Sequence, residues 1–106
     1  MTRMYVVVPC YNEEAVLMET ASRLRKKLED LTAQGRIAPG SRVLFVNDGS
    51  KDRTWELIAQ LHREQPEVFS GLKLSRNRGH QNALLAGLME AAKHADVIVS
   101  MDADLQ

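Results

Sequence analysis

The sequence predicts an α/β fold, a parallel sheet with flanking helices, and three observations carry that reading. Four short runs rich in β-branched and other apolar residues recur along the chain. Each is mostly apolar rather than alternating, as expected of strands covered on both faces, and stretches with helical spacing lie between them. Strand, helix, strand, repeated three times, implies right-handed crossovers and a parallel sheet.

The first strand covers Met4 to Val8. The first helix should open near Asn12, a good N-cap, with Glu13 and Glu14 in its positive first turn; Leu17, Leu24, Leu28 and Leu31 then keep one face apolar, and Gly35 is a plausible stop. Arg42 to Val46 form the second strand. The second helix runs from about Asp52 to Gln65, with Trp55, Ile58 and Leu61 on one side, and Pro66 ends it. Packing explains Trp55 better than stacking on a base. The third strand is Leu72 to Leu74 with its flanks. The third helix runs from about His80 to His94, where Ala83, Leu84, Gly87, Leu88 and Ala91 recur at helical spacing. Val97 to Met101 close the pattern as the fourth strand.

Composition bounds the partners. Across 106 residues, 14 Lys+Arg balance 14 Asp+Glu, with 44% hydrophobic and 26% charged residues. That is an ordinary globular profile of one domain or part of one, and the neutral balance argues against a nucleic-acid partner, which needs excess cations to displace counterions. The single cysteine, Cys10, excludes an internal disulfide and a Cys-based zinc site. With no signal-peptide layout at the N-terminus, a reducing, cytoplasmic setting is expected. The longest apolar runs fall far short of the roughly 20 residues that span a bilayer.

Open parallel sheets bind ligands beyond the carboxyl ends of their strands. Polar clusters follow each strand here: Pro9-Cys10-Tyr11-Asn12-Glu13, Asn47-Asp48-Gly49-Ser50, Ser75-Arg76-Asn77-Arg78-Gly79-His80, and Asp102-Ala103-Asp104-Leu105-Gln106. If strand geometry persists, Asp102, Asp104 and Gln106 project to one side, and such hard oxygen ligands suit Mg2+ or Mn2+. Two solvated carboxylates capping a turn would look the same. Asp48 reads either as a turn former or as an acceptor for a base N–H, with Gly49 allowing close backbone approach to a ligand. Arg76, Asn77, Arg78 and Gly79 lead into a helix N-terminus, a natural anion site, although one arginine reads as surface charge. His80 reads as a helix cap or a substrate contact. Asn12 and Glu13 are good capping residues whatever the function. Cys10 and the methionines, Met101 included, read as core.

Taken in order, Tyr5 to Glu13, Val46 to Thr54, Ser75 to Leu84 and Met101 to Gln106 resemble the family 2 inverting glycosyltransferases, and most of all the branch that includes dolichol-phosphate mannose synthase and the bacterial polyprenyl-phosphate glycosyltransferases. The four motifs cover essentially the whole chain. The resemblance implies a Rossmann-like sheet of the GT-A type, a UDP- or GDP-linked sugar donor, Mg2+ or Mn2+, and a lipid-phosphate acceptor. It places Pro9, Tyr11 and Glu13 around the nucleotide and Asp48 on the base; with the residue readings above, the expected nucleotide-binding set is Pro9, Tyr11, Asn12, Glu13, Asp48, Gly49, Arg76, Asn77, Gly79, Asp102 and Ala103. Asp102 and Asp104 would take the metal and the donor diphosphate, joined in the metal shell by Gln106.

The family pattern continues past the acidic motif with further strands, an acceptor loop, a catalytic carboxylate base and, in many members, membrane helices. Residues 1–106 are therefore expected to be the donor-binding N-terminal part of a larger enzyme, unable to turn over alone. That parent is expected at the cytoplasmic face of a membrane in a cell-envelope glycan route, and the open sheet edge offers a site for self-association. Two other readings compete: an Asp-x-Asp phosphotransferase, disfavoured because the motif comes last, and a non-catalytic nucleotide-binding α/β module. Neither Gly-x-Gly-x-x-Gly after a strand nor Gly-x-x-x-x-Gly-Lys occurs, which argues against a dinucleotide-dependent dehydrogenase and a P-loop enzyme.

Overall fold

The computed structural model describes residues 2–103. Along them lie β1 (Met4–Cys10), α1 (Leu17–Ala33), β2 (Arg42–Asp48), α2 (Thr54–Glu64), β3 (Phe69–Leu74), α3 (His80–Ala91) and β4 (Val97–Ser100). The strands form one parallel sheet in the spatial order β3-β2-β1-β4. The chain thus steps outward from β1 to β3 and then crosses to the far side of β1. That reversal makes the topological switch point at which open sheets hold ligands, between the carboxyl ends of β1 and β4.

Both faces of the sheet are covered at β1 and β2, which read as continuous apolar runs. The edge strands depart from the expectation: β3 alternates between part-buried and exposed positions, and Val97 and Val99 of β4 are exposed. Val6, Val8, Val43 and Phe45 pack against Leu17, Ala21, Leu24 and Leu28 of α1 and Ile58 and Leu61 of α2. Tyr5, Val7, Leu44 and Val46 face the other way, onto Ala83 and Ala91 of α3. There α3 lies close, because Gly87 has no side chain: a Cβ on it would stand 2.5 Å from Val7 Cγ1 and 2.7 Å from Val46 Cγ2. Trp55 is half-buried against the α1/α2 core, so packing does account for it, and Lys73 Nζ lies 5.6 Å from its ring centroid. Among the described residues no helix is long and apolar enough to cross a membrane.

Strand boundaries depart from the sequence expectation at the functional edge. β1 and β2 each extend two residues further, to Cys10 and Asp48, whereas β4 stops at Ser100, one residue short of Met101. Pro9 is tolerated inside a central strand by this stagger. Val7 accepts the Met101 N–H (3.0 Å), so residues of its parity turn their polar groups toward β4, and the N–H that Pro9 lacks faces the stretch where β4 has already ended.

The larger correction concerns α1, which opens at Leu17 and not at Asn12. Asn12 adopts φ 52, and its side-chain oxygen accepts the Lys51 N–H (2.8 Å) across the gap between two loops instead of capping a helix. Glu13 and Glu14 therefore precede the helix, and the acidic residue of its first turn is Glu19. A tertiary hydrogen bond has outcompeted the local cap. The expected stop holds, since Gly35 takes φ +72 and the Arg36 N–H reaches back to the Leu31 carbonyl (2.9 Å). α2 opens at Thr54, two residues past the expected Asp52, whose Oδ1 accepts the Thr54 N–H (2.9 Å) just ahead of the helix. The regular part of α3 ends at Ala91, three residues before His94.

Candidate functional site

A cavity of about 270 Å³ opens at the switch point. Pro9 and Cys10 of β1, with Tyr11 and Glu13 beyond them, form one side; Asp48 of β2 stands at the base; Asn77, Gly79, His80 and Ala83 contribute from the start of α3; Asp102 and Ala103 arrive from β4. All four strand ends thus meet around one space, as their polar clusters implied.

Its two walls are held differently. On the β1–β2 side, side chains bond across loops. Asn12 N–H donates to Ser50 Oγ (3.0 Å), Glu13 N–H to Thr54 Oγ1 (2.8 Å) and Glu14 N–H to Asp52 Oδ2 (3.2 Å). Thr54 is fully buried and passes its own hydroxyl proton to Asp52 Oδ1. Burial pushes the Asp52 carboxyl up, but the Thr54 hydroxyl and the N–H groups of Thr54 and Glu14 outweigh it and hold the group below its ordinary 3.8. Cys10 is buried, donates to the Val8 carbonyl, and keeps its proton; burial, helped by the charge of Glu13, pushes its thiol up to about 12. It is a wall, not a nucleophile.

Asp48 is only 3% exposed and accepts the Arg78 N–H at 2.6 Å through Oδ1, so it braces the β3–α3 loop as well as facing the cavity. Gly49 serves the same loop. Its φ is +67, and a Cβ there would meet Asn77 N at 2.2 Å and Arg76 C at 2.4 Å. The close approach that the sequence suggested is real, and what Gly49 meets is this protein's own backbone. In the loop, Asn77 Oδ1 accepts the Gly79 N–H (2.9 Å), and Gly79, at φ +91, turns the chain into α3.

Of the predicted nucleotide-binding residues, Pro9, Tyr11, Glu13, Asp48, Asn77, Gly79, Asp102 and Ala103 line the cavity, whereas Asn12, Gly49 and Arg76 do not. Asn12 and Gly49 shape the loops, and Arg76 is exposed beside them. Cys10, His80 and Ala83 line it without having been assigned to it. His80 had a readable signal, as the first helical residue after the glycine turn, and its Nε2 stands 4.0 Å from Asp102 Oδ1.

The cavity's charge bears on the metal. Among the described residues the lining includes the carboxyl groups of Glu13, Asp48 and Asp102 and the imidazole of His80, and neither lysine nor arginine. A diphosphate placed there needs a cation between itself and those carboxyl groups, and Asp102, exposed at the rim, offers the hard oxygen that Mg2+ or Mn2+ takes. The donor chemistry fits such an ion. Among the described residues no three acidic, His or Cys groups gather as a complete metal site, and Asp104 and Gln106, the other assigned ligands, lie outside the described residues.

Comparison with known proteins agrees with this geometry. A glycosyltransferase of Bacillus subtilis, YkoT, described as uncharacterized, is 52% identical over 101 residues, covering 95% of this chain and 30% of the relative. The undecaprenyl-phosphate 4-deoxy-4-formamido-L-arabinose transferase of Pectobacterium atrosepticum is 35% identical over the same share of this chain and 28% of its own length. Among solved structures, a mannosyltransferase of Pyrobaculum calidifontis in complex with GDP-Man and Mn2+ superposes with a TM-score of 0.75 at 25% identity, over 97% of this chain and 28% of that one. The chain therefore spans less than a third of these proteins. Its sheet is the Rossmann-like GT-A architecture. Residues 5–106 match the family described as Glycosyl transferase family 2, and with the four motifs and their convergence on one cavity the chain belongs to that family.

Proposed function

We propose that this chain supplies the nucleotide-sugar-binding part of an inverting, metal-dependent glycosyltransferase that moves a sugar from a UDP- or GDP-linked donor to a polyprenyl phosphate. One observation carries the reading: the four strand ends enclose a single cavity with a buried carboxylate, Asp48, at its base and an exposed one, Asp102, at its mouth. The solved neighbour with GDP-Man and Mn2+ supports the donor and metal classes, and the undecaprenyl-phosphate transferases support the acceptor class and a membrane-facing parent.

In this reading Asp48 keeps Oδ1 on the Arg78 N–H and offers Oδ2 to a base N–H, which both uracil and guanine provide. Tyr11, 40% exposed, flanks the nucleoside, and the start of α3 at Gly79 and His80 faces the diphosphate. Asp102, with Asp104 and Gln106, would hold Mg2+ or Mn2+, which neutralises charge on the leaving diphosphate. The acceptor phosphate oxygen attacks the anomeric carbon from the face opposite the donor. As that bond forms, the bond from the anomeric carbon to the diphosphate breaks, the nucleoside diphosphate leaves, and one in-line displacement inverts the centre. The carboxylate base belongs to the polypeptide beyond these residues.

Calorimetric titration of the full-length protein with UDP and with GDP, with and without Mn2+, tests the reading. Asp48→Asn can still accept the Arg78 N–H but presents a donor where the base needs an acceptor. We expect one nucleotide to bind in a metal-dependent way and Asp48→Asn to weaken it about tenfold to a hundredfold, the loss expected of roughly 1–3 kcal/mol for an unpaired buried group. Binding of neither nucleotide refutes the proposal; binding of one without sugar transfer to any polyprenyl phosphate favours the non-catalytic module.

A further inference from the structure

Thr20 has no role in the site described above, yet it reaches it. Its side chain is 2% exposed, on the face of α1 that packs against the sheet. A threonine inside a helix commonly returns its hydroxyl to the carbonyl one turn back, as Thr32 does to Leu28 (2.8 Å). Thr20 does not. It donates instead to the carbonyl of Ala103, the residue between the two aspartates of the acidic motif. Ala103 is itself 3% exposed, with its methyl group in the α1-side core.

The consequence follows from where β4 ends. The Met101 N–H on the Val7 carbonyl ties the chain to β1 as β4 ends, and the Thr20 hydroxyl on Ala103 is the next tie. Asp102 sits between the two ties with its side chain exposed at the cavity mouth. The backbone on either side of Asp102 is thus anchored, while its carboxylate faces His80 Nε2 at 4.0 Å.

We propose that Thr20 is a positioning residue: through the Ala103 carbonyl it holds the backbone beside Asp102 in the orientation that presents the Asp102 carboxylate to a divalent cation. The metal half of this statement rests on the proposed function, while the holding of the segment does not. Groups that orient metal ligands from behind typically change metal affinity 10- to 100-fold when removed.

The test compares Thr20→Val, which keeps the shape and loses the hydroxyl, with Thr20→Ser, which keeps the hydroxyl, in the full-length protein; Thr20→Ala replaces the valine variant if that one fails to fold. Two readouts are taken. Amide hydrogen exchange should accelerate at least about tenfold in Thr20→Val at positions 102–104 and stay unchanged in β1 and β2, with Thr20→Ser close to the parent. The Mn2+ concentration giving half-maximal nucleotide binding should rise about tenfold in Thr20→Val, again with Thr20→Ser close to the parent, while any metal-free nucleotide binding changes less than about twofold. Unchanged exchange in Thr20→Val, or equal acceleration in valine and serine variants, overturns the positioning role. Faster exchange with an unaltered Mn2+ requirement overturns its link to the cation. If the unsubstituted protein binds no nucleotide with Mn2+, the proposed function falls, and the exchange readout still decides whether Thr20 holds the segment.

Discussion

The two walls of the cavity are built from the same kinds of residue and behave as different materials. The β1–β2 wall is stitched: Asn12, Ser50, Lys51, Asp52 and Thr54 exchange hydrogen bonds between loops about forty positions apart in the chain. The opposite wall, residues 75–80 with Asp102, is exposed and is attached through few bonds, chiefly Arg78 N–H on Asp48 and Thr20 on Ala103. In the proposed function the planar, rigid base of a nucleotide would profit from a rigid receptor, whereas a diphosphate and a cation bring their own charge and can order a looser wall as they bind. The difference teaches where this architecture places its preorganisation.

The sharpest way to break the contrast is at the seam between the walls. Gly49→Ala puts a Cβ against the backbone of Arg76 and Asn77 and forces a left-handed conformation on alanine. We expect a loss of about 3 kcal/mol in urea unfolding, because backbone strain and overpacking each cost roughly 1–3 kcal/mol. A loss below about 1 kcal/mol would mean that the looser wall simply moves away.

Within the stitched wall, Thr54→Val keeps the volume and strands the Glu13 N–H. The expected cost is about 2 kcal/mol, the penalty for leaving a part-buried donor unpaired, read from the same unfolding experiment. The smallest change is Asp52→Ala, which removes the acceptor of the Thr54 N–H at the start of α2 and should cost about 1 kcal/mol. It should also alter the pH profile. The folded Asp52 carboxyl titrates below its ordinary 3.8, so its contribution is complete above that value and disappears as the pH falls through and below it. Thermal melting followed down through that range should fall less steeply in Asp52→Ala than in the parent.

Much of this was legible because it rests on local pattern. The four apolar runs became four parallel strands, Gly35 stopped α1, and the polar clusters after the strands met at one edge as topology required. Asn12 was misread because its side chain had two possible partners, and the one that won, Lys51 N–H, is remote in sequence. Gly49 showed its freedom in the sequence but not what would fill it. Cys10 was read as core and is core; its place in the cavity wall follows from β1 running on past Val8, which no propensity predicts. The link from Thr20 to Ala103 spans 83 positions and leaves no trace in spacing.

The stagger of the strand ends has one more consequence. Ser100 pairs with Val7, and β1 then continues to Cys10, three residues further, still paired with β2 but no longer with β4. At about 3.3 Å per residue the sheet edge has a notch roughly 10 Å deep. The cavity is thus cut by the ladder itself rather than hollowed between side chains. Its depth is quantised in residues of register, so lengthening or shortening β4 would resize it while the wall residues of β1 and β2 stay in place.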